Sequence, residues 1–260
     1  MKSEILYSES LFLCRNCPNN KFELTFQSKD IFYNLWYKNI ANSKEEYMSE
    51  KLYETIEITD LKDMLNKTKE LYGDKPAYKI KQKNNEKIVI LASDGTKLEG
   101  HYYERKKNAP LVIFFHGFRS HSYVDGVPIY KIAQKEKWNV LLVSMRAHDE
   151  SEGNIFTLGV KERYDCVDWA NWAAKHFGRE TPIFLMGISM GGAVVTMSSD
   201  LDLPDSVCGI IEDSGFTTST KMLELNCKSS LPKGMPVEVF KIFADVGIKL
   251  WGGFNLKEVD

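Results

Sequence analysis

The stretch Gly187-Ile188-Ser189-Met190-Gly191, followed by Gly192, constrains this chain more than any other. It has the form G-x-S-x-G. An apolar run, TPIFLM, leads straight into it, and a small-residue run, GGAVVTMSS, leads straight out. The first reads as a buried strand and the second as the start of a helix. Passing from strand to helix within so few residues demands a sharp turn, and the serine falls at its apex. The backbone there is strained, so the hydroxyl projects from the sheet. Side chains at positions 187 or 191 would collide with the neighbouring strand or helix. Ser189 also stands at a helix N-terminus, whose free N–H groups and dipole favour a developing negative charge. The alternative reading is a glycine-rich turn with an incidental serine.

The elements around the motif agree with such a turn. Ile88 to Leu91 and Leu98 to Tyr103 read as two strands joined at Asp94-Gly95. Leu111 to Phe115, Val140 to Val143, Ile183 to Met186 and Val207 to Ile211 are short apolar runs of the buried-strand type. Ile129 to Glu136 reads as a helix. A second helical face is marked by Val160, Tyr164, Val167, Ala170, Ala174 and Phe177, with Gly178 just past its end. Pro236 opens a third, with the face Val239, Phe243, Val246 and Leu250. Buried strands alternating with helices imply an α/β fold: a mostly parallel sheet, mixed at its starting hairpin, with helices on both faces.

Residues 1–80 differ. They are polar, rich in lysine and glutamate, and carry apolar residues at helical spacing, as in Ile31, Leu35 and Trp36 or Leu61, Met64, Leu65 and Leu71. Ser43 and Glu46 form a capping-box pattern. The expectation is a helical N-terminal extension over 1–80, a lysine-rich linker, and a second domain over 85–260. The formal net charge of -2 argues against a dedicated nucleic-acid binder. No apolar run approaches a membrane span, and Glu4 and Glu9 interrupt any signal-peptide core, so no membrane partner and a cytoplasmic location are expected. The five cysteines, Cys14, Cys17, Cys166, Cys208 and Cys227, are odd in number and scattered, which suits reduced thiols. Cys14 and Cys17 supply only half of a four-cysteine zinc site.

A second motif, Phe115-His116-Gly117-Phe118, follows a buried strand directly. The backbone N–H groups of Phe118 and Met190 are the candidate oxyanion donors. His116 reads as a histidine bracing the turn, with a catalytic base as the alternative. Together LVIFFHGF, SMRAHDESEG and LMGISMGG, in this order, resemble the α/β-hydrolase superfamily, and within it the serine aminopeptidase-like branch. The resemblance covers about residues 85–260. It implies that Arg146, His148, Ser151 and Gly153 form a structural loop. Ser144 stands where the family frequently has Asp, and Asp149 where it frequently has Gly.

The resemblance also implies a catalytic acid after a seventh strand and a histidine after an eighth. Six strands are legible, and no histidine follows Ser189; the last is His176. The ending WGGFNLKEVD resembles the family segment just before the seventh strand. The chain therefore reads as C-terminally truncated, with a sheet incomplete at its C-terminal edge and self-association possible through Val207 to Ile211. Asp213, closing the sixth strand, is a candidate acid or a turn-capping Asp. His121 and His148 could approach Ser189 from loops at the same sheet edge.

The expected function is that of a serine hydrolase cleaving ester, thioester, amide or peptide bonds through an acyl-enzyme on Ser189, weak or inactive in this chain. The alternative is a non-catalytic pseudoenzyme or binding module that keeps the pocket. No cofactor or metal is implied. The partner is a small-molecule acyl or peptide substrate. A cap segment is expected within 216–254, where Met222, Met235, Phe240 and Trp251 suggest an apolar acyl pocket or ordinary packing.

Overall fold

The computed structural model describes residues 11–16, 21–25, 85–216, 218–228 and 237–259. They form an eight-stranded sheet with helices on both faces. The strands are β1 (Leu11–Asn16), β2 (Lys21–Thr25), β3 (Glu86–Leu91), β4 (Lys97–Tyr103), β5 (Leu111–Phe115), β6 (Asn139–Ser144), β7 (Ile183–Ile188) and β8 (Val207–Asp213). Their order in the sheet is β2-β1-β8-β7-β5-β6-β4-β3. The pairs β6–β5, β5–β7 and β7–β8 are parallel, and β3–β4 and β4–β6 are antiparallel. The six strands expected from sequence are therefore present, as the mostly parallel sheet of an α/β-hydrolase fold.

The central strands are apolar throughout because both faces are covered. Leu111, Ile113 and Phe115 of β5 point to one side, with Leu141, Val143, Leu185, Trp169 and Val194. Val112 and Phe114 point to the other, with Val140, Leu142, Met186, Ile129 and Ile132. This is the period of two of an extended chain, and each face meets a helix. Helix α1 (Ser122–Asp125) is a single turn leading into α2 (Val127–Glu136), which seals the second face. Helices α3 (Glu162–Phe177) and α4 (Met190–Met197) seal the first. Phe114 is fully buried, so truncating it to Ala costs about 3–5 kcal/mol.

The buried stripe of α3 is Cys166, Trp169, Ala170, Ala173 and Ala174. Tyr164, expected on that face, is exposed instead. The rotation follows from Trp169, which drives into the sheet beside Gly100. Glu162 anchors the start of α3: its buried carboxylate accepts from the Thr157 and Gly159 amides at 2.7 and 2.9 Å and from the Thr157 hydroxyl at 2.6 Å. Two helices follow the sheet, α5 (Ser219–Lys228) and α6 (Val237–Gly247). The Ser219 hydroxyl donates to the Leu158 carbonyl at 2.6 Å, tying α5 to the loop before α3. The expected face of α6, Val239, Phe243, Val246 and, beyond the helix, Leu250, is exposed among the described residues.

Two expectations are corrected. The described parts of the region read as a helical extension, 11–16 and 21–25, are strands; the helical patterns at 31–36, 43–46 and 61–71 lie outside the described residues. Nor does β8 present a bare edge for self-association. Strand β1 pairs with it antiparallel, Phe12 opposite Ile211 and Leu13 opposite Ile210, and β2 pairs with β1. An unpaired row of backbone donors and acceptors is satisfied by recruiting another strand, here one from the same chain.

Candidate active site

The site is built where three parallel strands end side by side. Phe115 of β5 lies opposite Gly187 of β7, and Gly187 lies opposite Glu212 of β8. The chain leaving β7 turns at Ser189 with φ 53° and ψ -117° and enters α4 at once. A side chain rarely tolerates this backbone, which fixes the serine at the apex of the turn. The glycines make room for it. A Cβ on Gly187 would meet the Gly191 carbonyl oxygen at 2.1 Å, and one on Gly191 would meet the Phe115 carbonyl oxygen at 2.1 Å. The Ser189 amide donates to the Asp213 carbonyl at 2.8 Å, and the Ser189 carbonyl accepts from Ala193 at 3.0 Å. Its hydroxyl has no hydrogen-bond partner among the described residues, and the residue is half-buried.

The second motif lies against the first. A Cβ on Gly117 would stand 3.5 Å from that of Ser189. Gly117 begins a tight turn in which the Ser120 amide donates to the Gly117 carbonyl at 3.2 Å. Asp125, on α1, holds this turn from behind. It accepts from the Gly117 amide at 2.8 Å and from the Ser120 hydroxyl at 2.7 Å. Among the described residues, neither the Phe118 nor the Met190 amide donates to a protein acceptor. The Phe118 ring packs on Phe156, 4.6 Å between centroids.

The histidines are placed differently from one another. His116 is fully buried. Its Nε2 accepts from the Met145 amide at 3.2 Å, so Nδ1 carries the proton and donates to the Gly117 carbonyl at 2.8 Å. Burial pushes its pKa down to about 4, and the ring is neutral. Both nitrogens are engaged, so His116 braces the turn. His148 is likewise engaged twice: its Nε2 accepts from the Arg119 amide at 3.3 Å, and its Nδ1 lies 2.9 Å from the Arg146 carbonyl. His121 is exposed, stacks on Tyr123, and pairs through Nδ1 with Asp149.

The loop after β6 is ordered by side chains. Arg146 reaches Asp165 with two donors, at 2.7 and 2.5 Å, and Asp94 with a third at 2.9 Å. The Ser151 hydroxyl donates to the Ser144 carbonyl at 2.6 Å and accepts from the Glu99 amide at 2.9 Å. Asp149 has φ 48°, which accounts for glycine being frequent there. Its carboxylate takes the Ser144 hydroxyl at 3.4 Å as well as His121. The two departures from the family pattern thus touch each other.

Asp213 contributes its backbone carbonyl to the elbow, while its carboxylate accepts from the Ser214 hydroxyl at 2.9 Å. Burial raises its pKa, an effect that the Ser214 hydrogen bond opposes. No histidine contacts its side chain among the described residues. Among the same residues no three His, Cys, Asp or Glu side chains converge as metal ligands. No described helix is long and apolar enough to cross a membrane. Cys17, Met235 and the side chains of Cys14, Phe240 and Trp251 lie outside what the structure describes. Asp125 and the His121–Asp149 pair went unforeseen, since no motif marks an acid eight residues after a glycine.

No curated protein sequence matches the chain. Among solved structures, an esterase of Pyrococcus furiosus aligns over 70% of this chain and 68% of that one, at 22% identity and a TM-score of 0.50. Another crystal form of the same esterase aligns over 46% of this chain and 49% of that one, at 27% identity and a TM-score of 0.42. Est1E of Butyrivibrio proteoclasticus, with ferulic acid bound, aligns over 43% and 46%, at 27% identity and a TM-score of 0.38. The aligned part spans between 46% and 68% of these structures' lengths, and the first likeness is one of fold. The profile of the alpha/beta hydrolase fold matches residues 110–240, which hold both motifs and four strands of the sheet. With half of its residues so matched, the chain belongs to the alpha/beta hydrolase fold family.

Proposed function

We propose that this is a serine hydrolase of the serine aminopeptidase-like branch, acting on ester, thioester, amide or peptide bonds through an acyl-enzyme on Ser189. The observation that carries the reading is the turn at Ser189: a hydroxyl unengaged among the described residues, at φ 53°, at the head of α4 and beside Gly117. Ser189 Oγ attacks the substrate carbonyl carbon. The carbonyl oxygen gathers negative charge between the Phe118 and Met190 amides, which have no other acceptor among the described residues. The leaving group departs with a proton and the acyl group stays on Oγ. Water then attacks the acyl carbon, the product acid leaves, and Oγ regains its proton. The cap is assigned to segment 216–254, which holds α5 and α6. Cys166 and Cys208 are not joined in a disulfide, which supports a cytoplasmic setting.

Turnover needs a base. His116 and His148 each use both nitrogens, His121 pairs with Asp149, and no histidine follows Ser189. This chain by itself is expected to hydrolyse activated esters only in trace, since an oxyanion hole and binding alone leave roughly 10³–10⁴ over water. The same observation favours a second reading, a pseudoenzyme that keeps the pocket and binds without turnover. The test is labelling with a fluorophosphonate probe, run beside 4-nitrophenyl acetate hydrolysis. Labelling that Ser189→Ala removes supports the nucleophile. Labelling that persists in Ser189→Ala overturns it, and no labelling at all decides for the second reading.

A further inference from the structure

Arg119 occupies a backbone position that does not suit it. It is the third residue of the Gly117–Ser120 turn and has φ 53°, the left-handed conformation for which glycine or asparagine is the ordinary choice at that place. Holding a long side chain there is unfavourable unless the surrounding structure fixes it. The position is also firmly set. The Arg119 amide donates to His148 Nε2, and His148 is itself held by the Arg146 carbonyl and packed edge-on against His116. The strain is therefore built into the turn that carries the Phe118 amide.

The guanidinium lies over the Phe118 ring, 5.0 Å from its centroid, and the ring is fixed in turn by Phe156. Arg119 is exposed and forms no ion pair among the described residues. The two acids around this turn are engaged elsewhere. Asp125 takes the Gly117 amide and the Ser120 hydroxyl, and Asp149 takes His121 and the Ser144 hydroxyl. The result is a pre-oriented cation one residue from a free amide donor, with no carboxylate of its own.

We infer that Arg119 is a specificity-determining residue that receives a carboxylate on the substrate, so the preferred substrates are short half-esters of dicarboxylic acids. This rests on the proposed acyl transfer at Ser189. A guanidinium offers donors in a flat fork that matches a carboxylate, and its stacking on an aromatic ring leaves that fork free. With the scissile carbonyl oxygen at the Phe118 amide, the reach of one arginine side chain sets the spacing. The anionic group sits a few carbons from the scissile bond. A longer fatty acyl ester gains nothing from this contact.

The experiment measures binding rather than turnover, so that it is separate from the question of the base. Monomethyl glutarate and methyl pentanoate are titrated by NMR into the full chain carrying Ser189→Ala, alone and combined with Arg119→Gln or Arg119→Lys. Thermal melts verify that each variant is folded. The half-ester is expected to bind about fivefold tighter than the neutral ester, as an exposed ion pair of up to about 1 kcal/mol gives. That preference is expected to vanish in Arg119→Gln, to survive in part in Arg119→Lys, and to shrink with added salt. Equal binding of the two esters, a preference that persists in Arg119→Gln, or no binding of either overturns the inference. If fluorophosphonate labelling fails while the charge preference follows Arg119, the anion site stands and the reading as a pocket that binds without turnover is the one supported.

Discussion

The amide of Ser189 donates to the carbonyl of Asp213 across the ends of β7 and β8. The hydrogen bond holds the strained serine to the neighbouring strand. The backbone at φ 53° and ψ -117° is one that glycine adopts far more readily than serine. Ser189→Gly is therefore expected to abolish acylation and to stabilise the fold. A relief of about 1 kcal/mol raises Tm by roughly 2–4 °C in a domain of this size. Differential scanning calorimetry on the two proteins checks it, and a lower Tm for the glycine variant contradicts the strain.

Gly191→Ala should act in the opposite sense. Its Cβ would fall 2.1 Å from the Phe115 carbonyl oxygen and 2.7 Å from that of His116. Both are backbone atoms, one at the end of β5 and one just past it, so no side chain can swing aside. Either α4 lifts off β5 or the strand end shifts. A loss of about 3 kcal/mol or more in urea unfolding is expected, together with loss of fluorophosphonate labelling. Near-native stability would mean that α4 is free to move.

Asp125 supports the Gly117–Ser120 turn from behind. Asp125→Ala leaves the buried Gly117 amide without its acceptor and frees the Ser120 hydroxyl. Unsatisfied, such a group costs about 1–3 kcal/mol. The turn that carries Phe118 then loosens, so Ser189 labelling should slow as well. Asp125→Asn keeps an acceptor oxygen and should recover most of both. Equal loss in the two variants would show that charge, not the hydrogen bond, is what matters.

Much of this was legible in the sequence because it is local. Gly187 to Gly192 encodes its own turn, and the apolar runs at 111–115, 140–143 and 183–186 mark strands buried on both faces. The pairing of β1 with β8 was not legible, since it joins residues about two hundred positions apart with no periodic signal between them. The sequence favoured bracing roles for His116 and His148 but held nothing of the contacts that fix them. What settles them is which backbone groups occupy both ring nitrogens, and that depends on how two loops meet. Tyr164 was misplaced because helical spacing gives a period but not the phase, which Trp169 sets by burial.

His116 gives the fold a dependence on pH with a definite sign. Unfolded, the imidazole titrates at its ordinary value near 6.5; folded, burial holds it down at about 4. Between these values the unfolded chain binds a proton that the folded chain refuses. The stability due to a neutral His116 is therefore complete above pH 6.5 and is lost as pH falls towards 4. A difference of this size corresponds to about 3 kcal/mol across the window. Other groups also titrate there, so the measurement is a comparison. Urea unfolding of the wild type and of His116→Gln is followed from pH 7.5 to 4.0. The variant is expected to be less stable at pH 7.5, having lost a fitted ring that accepts from Met145 and donates to Gly117. The gap should close as pH falls. A gap that is constant with pH would show that His116 takes up its proton equally in both states, and so is not held neutral by the fold.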